Sequence, residues 1–147
     1  MVRIILLWCL LAVAPARAQT VMNEAVQADK RPVVEKAMEL TEAEARGFWP
    51  VYDAYQKDLG KIYDRRHKLI ENYAEAYKQG PIPDAVARRL LAEALSIESA
   101  ERSLKNGYID KFSKVLPGAK VLRYMLIESK INSAVQYQIA DGLPLPQ

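Results

Sequence analysis

The sequence predicts an all-α protein, a long kinked helical hairpin followed by a third, C-terminal helix. Apolar residues recur every three, four or seven positions through three long segments, which is the spacing of one helical face. Clusters of glycine and proline at Gln79–Pro83 and Pro117–Gly118 separate these segments. No stretch shows the alternation of polar and apolar residues that is typical of a half-buried strand. We therefore expect residues 32–142 to form a single helical domain.

Residues 1–18 have the features of a secretory signal peptide. Arg3 provides a short basic region, Ile4–Val13 is an apolar run, and Ala16-Arg17-Ala18 is a small-x-small cleavage signal. The apolar run has about ten residues, whereas a membrane-spanning helix needs about 20, so we expect no permanent membrane anchor. Cleavage after Ala18 would release the exported mature chain.

Cysteine content and net charge indicate whether the chain has disulfides and whether it binds nucleic acid. The only cysteine of the 147-residue chain, Cys9, lies in the predicted signal peptide, so we expect a mature chain without disulfides. Loss of Arg3 and Arg17 with that peptide lowers the formal net charge from +3 to about +1. The sequence therefore predicts no nucleic-acid partner, because phosphate binding relies on an excess of lysine and arginine.

The mature chain begins with a polar stretch. We predict residues 19–31 to be a mobile N-terminal arm. Pro32 then suits the first turn of a short helix. The predicted apolar face of that helix consists of Val33, Val34, Ala37 and Met38.

The first long helix is predicted from Glu42 to Gln79. Thr41 and Glu44 form a capping box, in which each side chain satisfies a backbone N–H at the start of the helix. Its apolar stripe consists of Phe48, Tyr52, Tyr55, Leu59, Ile62, Leu69 and Tyr73. Pro50 lacks a backbone N–H and Gly47 is a poor helix former, so we predict a kink between them. A full break, with a new helix starting at Pro50, is the alternative.

Two further helices complete the predicted domain. The second is expected from Ala85 to near Leu116, with Asp84 as its N-cap. Its apolar stripe consists of Leu90, Ala94, Ile97, Leu104, Tyr108, Phe112 and Val115. The third follows Pro117-Gly118 and ends at Gly142. Residues 143–147 are predicted to form an extended tail, because their alternating prolines cannot continue a helix.

Glu128 is predicted to face the core, because it continues the apolar stripe of the third helix. A buried carboxylate needs a partner, since an isolated buried charge is costly. We expect an ion pair across helices with Arg66 or Lys105. The alternative is a polar contact at a protein interface.

The sequence contains no recognisable catalytic or cofactor-binding arrangement. His67 is the only histidine, and no nucleophile motif such as G-x-S-x-G is present. The nearest approach to a metal site is Glu71 and Glu75, two carboxylates one helical turn apart. We therefore expect no enzyme activity, no cofactor and no metal site.

A candidate partner-binding surface lies on the first long helix. This helix carries more aromatic residues than one core-facing stripe can bury, and Trp49 and Tyr63 lie off that stripe. The basic residues near them are Lys61, Arg65, Arg66 and Lys68. Because a basic cluster attracts acidic partners, we predict that these aromatic and basic residues contact a protein partner.

Three runs resemble the Spy/CpxP-like family of periplasmic helical proteins, which is named for an LTxxQ motif. Leu40-Thr41-Glu42-Ala43-Glu44 is similar to that motif, with glutamate in place of the glutamine. The runs Phe48-Trp49-Pro50-x-Tyr52 and Leu116-Pro117 to Glu128 are similar to a proteobacterial branch of the family.

The resemblance implies a function that the residues alone do not. Members of the family form helical hairpins, often dimers with a concave face, and are associated with envelope stress, ATP-independent chaperone activity and metal stress. The resemblance thus implies a periplasmic, chaperone-like protein that engages protein clients through a helical surface, with a possible homodimer. Two alternatives stay open: a metal-stress accessory protein that binds zinc or copper weakly through carboxylates and His67, and a structural envelope protein with one defined partner.

Overall fold

The computed structural model describes residues 30–146. Within this range the chain forms four helices and no strand, namely α1 (Arg31–Met38), α2 (Glu42–Lys78), α3 (Asp84–Ser113) and α4 (Gly118–Gly142). The prediction of an all-α protein is therefore confirmed. The predicted signal peptide, its cleavage site, arm residues 19–29 and Gln147 lie outside the described residues. None of the described helices is both long and apolar enough to cross a membrane.

The short helix α1 begins at Arg31 and has a proline in its first turn, as predicted. Val34 and Met38 are buried, whereas Val33 is exposed and does not belong to the apolar face. The side chain of Lys30, just before α1, is largely buried and forms an ion pair. The packed domain therefore includes Lys30 and Arg31, and the predicted arm is too long by these two residues. Their contacts are with residues distant in sequence, which local patterns do not reveal.

The 37-residue helix α2 begins with the predicted capping box. The Thr41 hydroxyl accepts a hydrogen bond from the Glu44 backbone N–H at 3.3 Å, and the Glu44 carboxylate accepts one from the Thr41 backbone N–H at 2.9 Å. The helix continues through Pro50, so the alternative of a new helix starting there is wrong, and the kink stays a prediction. Gly47 permits a close approach, because a Cβ at this position would lie 3.0 Å from the Cβ of Val115.

Helices α2 and α3 pack side by side in opposite directions. Phe48, near the start of α2, contacts Phe112, near the end of α3, with ring centroids 5.6 Å apart. Arg65, farther along α2, donates a hydrogen bond at 3.0 Å to Glu93, near the start of α3. Residues 79–83 link the two helices. The link turns at Gly80, whose φ of +110° lies in the left-handed region that favours glycine.

The starts and ends of α3 and α4 differ little from the prediction. The N-cap of α3 is Pro83, which provides no side-chain cap, so the prediction of Asp84 as N-cap is wrong. Asp84 lies in the first turn instead and accepts a hydrogen bond from Arg88 at 3.1 Å. Helix α4 ends at Gly142, as predicted, and Leu143 continues in an extended conformation.

An aromatic cluster joins the three long helices. The ring of Tyr124 in α4 is fully buried, with its centroid 4.7 Å from that of Phe112 and 5.1 Å from that of Phe48. Such ring pairs contribute about 0.5–1.5 kcal/mol each beyond the area they bury. The buried residues of α2 lie between Phe48 and Tyr63, and those of α3 between Ile97 and Phe112. The core is therefore concentrated away from the α2–α3 link.

Candidate functional site

The two aromatic residues of the predicted partner-binding surface lie against the protein interior. Tyr63 is 9% exposed and belongs to the buried core. Trp49 is half-buried. Its ring and the Phe48 ring make an edge-on contact with centroids 4.9 Å apart, and the Arg31 guanidinium lies 4.2 Å from the centroid of the Trp49 ring. The prediction that Tyr63 reaches the surface is wrong, because the Lys30 ammonium lies over its ring at 5.2 Å.

Three of the four predicted basic residues form ion pairs within the chain. These pairs are Arg65–Glu93, Arg66–Glu101 and Lys61–Asp58, with N···O distances of 3.0, 2.7 and 2.8 Å. Lys68 is exposed. Arg65 and Arg66 therefore join α2 to α3, and much of their charge is matched inside the protein.

Glu128 is buried, as predicted, but its partners differ from the predicted ones. Its carboxylate accepts hydrogen bonds from the Lys30 ammonium at 2.8 Å and from the Gln56 amide at 3.2 Å. The predicted ion pair with Arg66 or Lys105 is wrong. The cation comes instead from the segment that precedes α1, which local periodicity does not connect to α4.

The polar cluster around Glu128 shifts the pKa values of its neighbours. Burial lowers the pKa of Lys30, but its interactions with the Glu128 carboxylate and the Tyr63 hydroxyl together outweigh this effect and raise that pKa above its ordinary value of 10.5. Burial and the same carboxylate raise the pKa of Tyr124, whose hydroxyl accepts a hydrogen bond from Gln56 at 3.2 Å. Lys30 therefore stays charged and Tyr124 stays neutral at neutral pH. The cluster joins the segment before α1 to α2 and α4.

A groove lined almost entirely by apolar side chains lies at the end of the molecule that carries the α2–α3 link, and we call it the tip groove. Its volume is about 430 Å³. It is lined by Leu69, Ile70, Tyr73, Ile82, Ala87, Leu90, Leu91, Ala94, Leu143 and Pro146. The Tyr73 hydroxyl is the one polar side-chain group in this set.

The tip groove exists because the two long helices continue beyond the aromatic cluster. Leu69 and Tyr73 extend the apolar stripe of α2, and Leu90 and Ala94 extend that of α3. Helix α4 ends at Gly142, and the chain beyond it is extended. Sequence periodicity therefore predicted these residues as core, although they line an open surface.

Exposed leucines enlarge the apolar surface of α3 near the groove. Leu91 and Leu95 lie one helical turn apart and are 61% and 57% exposed. Both lie off the predicted core stripe, so this i,i+4 pair is the sequence signal that could have indicated an apolar surface. Leu91 also lines the tip groove, so this pair extends the apolar surface of the groove along α3.

Basic side chains border one side of the tip groove. A neighbouring depression shares Leu69 and Leu90 with the groove. It is also lined by Arg65, Lys68 and Arg89, and by Glu93, the partner of Arg65. Two of the predicted partner-binding residues, Arg65 and Lys68, therefore lie beside the apolar surface.

The segment after α4 and the Tyr73 side chain form another part of the tip groove. The Tyr73 hydroxyl donates a hydrogen bond to the backbone carbonyl of Pro144. The Tyr73 and Tyr77 rings are stacked, with centroids 6.2 Å apart. Partial burial and the neighbouring Tyr77 raise the pKa of Tyr73, so its hydroxyl remains a donor at neutral pH.

Potential metal ligands are sparse in the described part of the chain. Residues 30–146 hold no group of three or more histidine, cysteine, aspartate or glutamate side chains that could bind one metal ion. His67 Nε2 lies 3.2 Å from Glu71 Oε1, one turn along α2. Zinc sites use three or four protein ligands, so this pair gives the metal-binding alternative no geometric support.

Comparison of the chain with known families, proteins and structures finds no match. The chain matches no family model, no curated protein and no solved structure. The resemblance to the Spy/CpxP-like family therefore stays a prediction, and the contacts of the tip groove are the basis for a functional proposal.

Proposed function

We propose that this chain is an exported, non-enzymatic periplasmic binding protein that engages apolar segments of protein clients in a chaperone-like manner. The observation that carries the proposal is the tip groove, an apolar surface at the end of the molecule beyond the aromatic core. Its volume of about 430 Å³ falls within the range of about 300–1,000 Å³ that is usual for ligand sites. The periplasmic location rests on the predicted signal peptide and on the family resemblance.

The chemistry of the groove favours unfolded proteins over folded ones. Burial of one leucine or phenylalanine side chain of a client would contribute about 1.5–3 kcal/mol. Tyr73 supplies the one polar side-chain group of the groove, so hydrogen bonds impose little sequence selectivity on a client. Because folded proteins bury their large apolar side chains, the groove selects clients that have lost their structure.

The basic border gives the same surface an electrostatic preference. Lys68 and Arg89 lie beside the groove and would attract acidic segments of a client, whereas the charge of Arg65 is paired with Glu93. Salt screens exposed charges over about 8–10 Å, whereas it leaves the apolar contact intact. We therefore expect client binding to weaken with added salt without being abolished.

Suppression of client aggregation by the purified mature chain tests this function. The informative variant is Leu91→Asp, because a carboxylate at the rim of the groove opposes burial of apolar segments. Leu122→Asp is the matched control, since Leu122 on α4 is 60% exposed and Leu91 is 61% exposed. Loss of about 1 kcal/mol of binding weakens affinity about fivefold, so L91D should require about five times more protein for equal suppression.

The outcomes of this experiment test separately the chaperone-like function, its location at the tip groove, and the alternative of one defined partner. Wild type and L122D should suppress aggregation at a near-stoichiometric ratio, and L91D should not. Absence of suppression by the wild type at every salt concentration would contradict the chaperone-like function. Equal suppression by all three proteins would place client binding on another surface. Suppression of one client among many would favour a structural envelope protein with one defined partner.

A further inference from the structure

The tip groove already contacts a peptide segment, which is the chain's own C-terminal tail, residues 143–146. Leu143 and Pro146 contribute side chains to the groove. Between them, the backbone carbonyl of Pro144 accepts the hydrogen bond from the Tyr73 hydroxyl. The tail leaves α4 in an extended conformation, with φ of −95° and ψ of 122° at Leu143. The structure thus shows how an extended Leu-Pro segment packs against this surface.

Proline suits this position for chemical reasons. It has no backbone N–H, so an apolar groove leaves no donor of that residue unsatisfied. Its carbonyl is the group that needs a partner, and the Tyr73 hydroxyl provides it. Extended proline-containing segments lose little conformational entropy on binding, and they bind to grooves lined by aromatic rings. The Tyr73 ring, on which Tyr77 stacks, provides an aromatic lining here.

The tail is held by few contacts. Leu145, in the middle of it, is 85% exposed, and Pro144 is exposed as well. The tail begins directly after Gly142, so it can leave the groove without disturbing the packed part of α4. A competing segment therefore needs to replace only two apolar side chains and one hydrogen bond.

We infer that the tip groove is a binding site for extended, proline-containing apolar segments, and that the chain's own tail competes with them for it. This inference rests on the proposed function, because it names the class of client segment that the same groove takes. A tethered segment has an effective concentration in the millimolar range. For a segment that binds with a dissociation constant of about 0.1 mM, such a tail weakens binding of a free peptide about tenfold.

Fluorescence anisotropy with a labelled peptide of the tail sequence, GLPLPQ, tests the competition in the full mature chain. The variant L143S/P146S removes both apolar side chains of the tail from the groove. It should bind the peptide about tenfold more tightly than the wild type does, because the internal competitor is weakened. The control L122S/L126S changes two exposed leucines of α4 and should bind as the wild type does. A peptide with serine in place of each leucine should not bind.

The role of the tyrosine hydroxyl is tested in the L143S/P146S background. Tyr73→Phe should weaken peptide binding about fivefold, the effect of one hydrogen bond. The matched change Tyr77→Phe keeps the stacked ring pair and should leave affinity unchanged. Equal affinity of the wild type and of L143S/P146S would overturn the competition. Equal affinity of the Y73F and Y77F forms would overturn the assigned binding mode.

Two readouts keep this inference distinct from the proposed function. Tighter peptide binding by L143S/P146S without any suppression of aggregation would support the groove specificity and contradict the chaperone-like function. Suppression of aggregation without peptide binding would support the chaperone-like function and contradict the groove specificity. If L143S/P146S lost its cooperative unfolding transition, NMR titration of the wild type with the peptide would decide. Shifts of the Leu69, Leu90 and Leu91 methyl signals would support the inference, and shifts elsewhere or none would overturn it.

Discussion

The Lys30 ammonium and the Glu128 carboxylate form an ion pair with a distance of 2.8 Å, and only 9% and 3% of their side chains are exposed. The pair joins the segment before α1 to the middle of α4, 98 residues apart in sequence. The Gln56 amide donates a second hydrogen bond to the same carboxylate at 3.2 Å. The start of the packed domain is therefore fixed by a buried charge pair, which explains why it precedes the predicted boundary.

Removal of one partner from this pair should be strongly destabilising. Lys30→Met leaves the Glu128 carboxylate buried without its cation, and we expect the free energy of unfolding to fall by about 3–5 kcal/mol. Urea denaturation monitored by circular dichroism measures the change. The double variant K30M/E128L should recover most of the loss, because an apolar pair of similar volume needs no charge partner.

The control for that prediction is an exposed ion pair. Arg88→Ala breaks the contact with Asp84, in which both side chains are more than three-quarters exposed, and should cost at most about 1 kcal/mol. A K30M variant as stable as R88A would show that Glu128 is not held by Lys30 in solution.

Acid should remove the stabilisation that Glu44 provides. The hydrogen bond from the Thr41 backbone N–H and the Lys120 ammonium at 3.3 Å lower the pKa of Glu44 below its ordinary value of 4.5. Because the folded pKa lies below the unfolded one, the contribution is present above pH 4.5 and is lost as the pH falls through the folded pKa. Glu44→Gln should therefore be less stable than the wild type at pH 7, and the difference should shrink on acidification.

Thermal unfolding of both proteins at several pH values between 7 and 3 measures this convergence. Glu42→Gln is the matched control, since Glu42 lies in the same turn with a fully exposed side chain, and it should change stability less than E44Q does. A difference between wild type and E44Q that stays constant with pH would rule out an ionic contribution from Glu44.

Alanine at two glycines of α2 should have opposite effects. At Gly60 a Cβ would meet nothing within 4 Å, so Gly60→Ala should stabilise the protein by about 0.5–1 kcal/mol through helix propensity. At Gly47 a Cβ would lie 3.0 Å from the Val115 Cβ, and overpacking of this kind costs about 1–3 kcal/mol. Gly47→Ala should therefore be less stable than G60A, and equal melting temperatures would show that Val115 moves aside freely.

Features that depend on a few neighbouring residues were predictable from the sequence. Thr41 and Glu44 are three residues apart, and their capping box forms as predicted because each partner lies within one helical turn. The glycine and proline clusters likewise located the link between α2 and α3 and the start of α4. Helical periodicity identified most of the residues that face inward, including Phe48, Tyr52 and Glu128.

Features that depend on contacts between distant segments were not predictable in this way. Periodicity placed Tyr63 off the core stripe, but Lys30 covers its ring. It also placed Leu69 and Leu90 in the core, but the aromatic cluster does not extend to them and they line the tip groove. A stripe of apolar residues shows which face of a helix turns inward, and it does not show how far along that face another helix continues.

Client binding at the tip groove is tested most directly by site-specific photocrosslinking. A photoreactive amino acid is placed at position 91, beside the groove, or at position 122, where the native leucine is 60% exposed, close to the 61% of Leu91. The client is reduced α-lactalbumin, which stays unfolded while reductant is present. If clients bind at the tip groove, we expect adducts from position 91 and background levels from position 122. Equal yields from the two positions, or adducts from position 122 alone, would contradict binding at the tip groove.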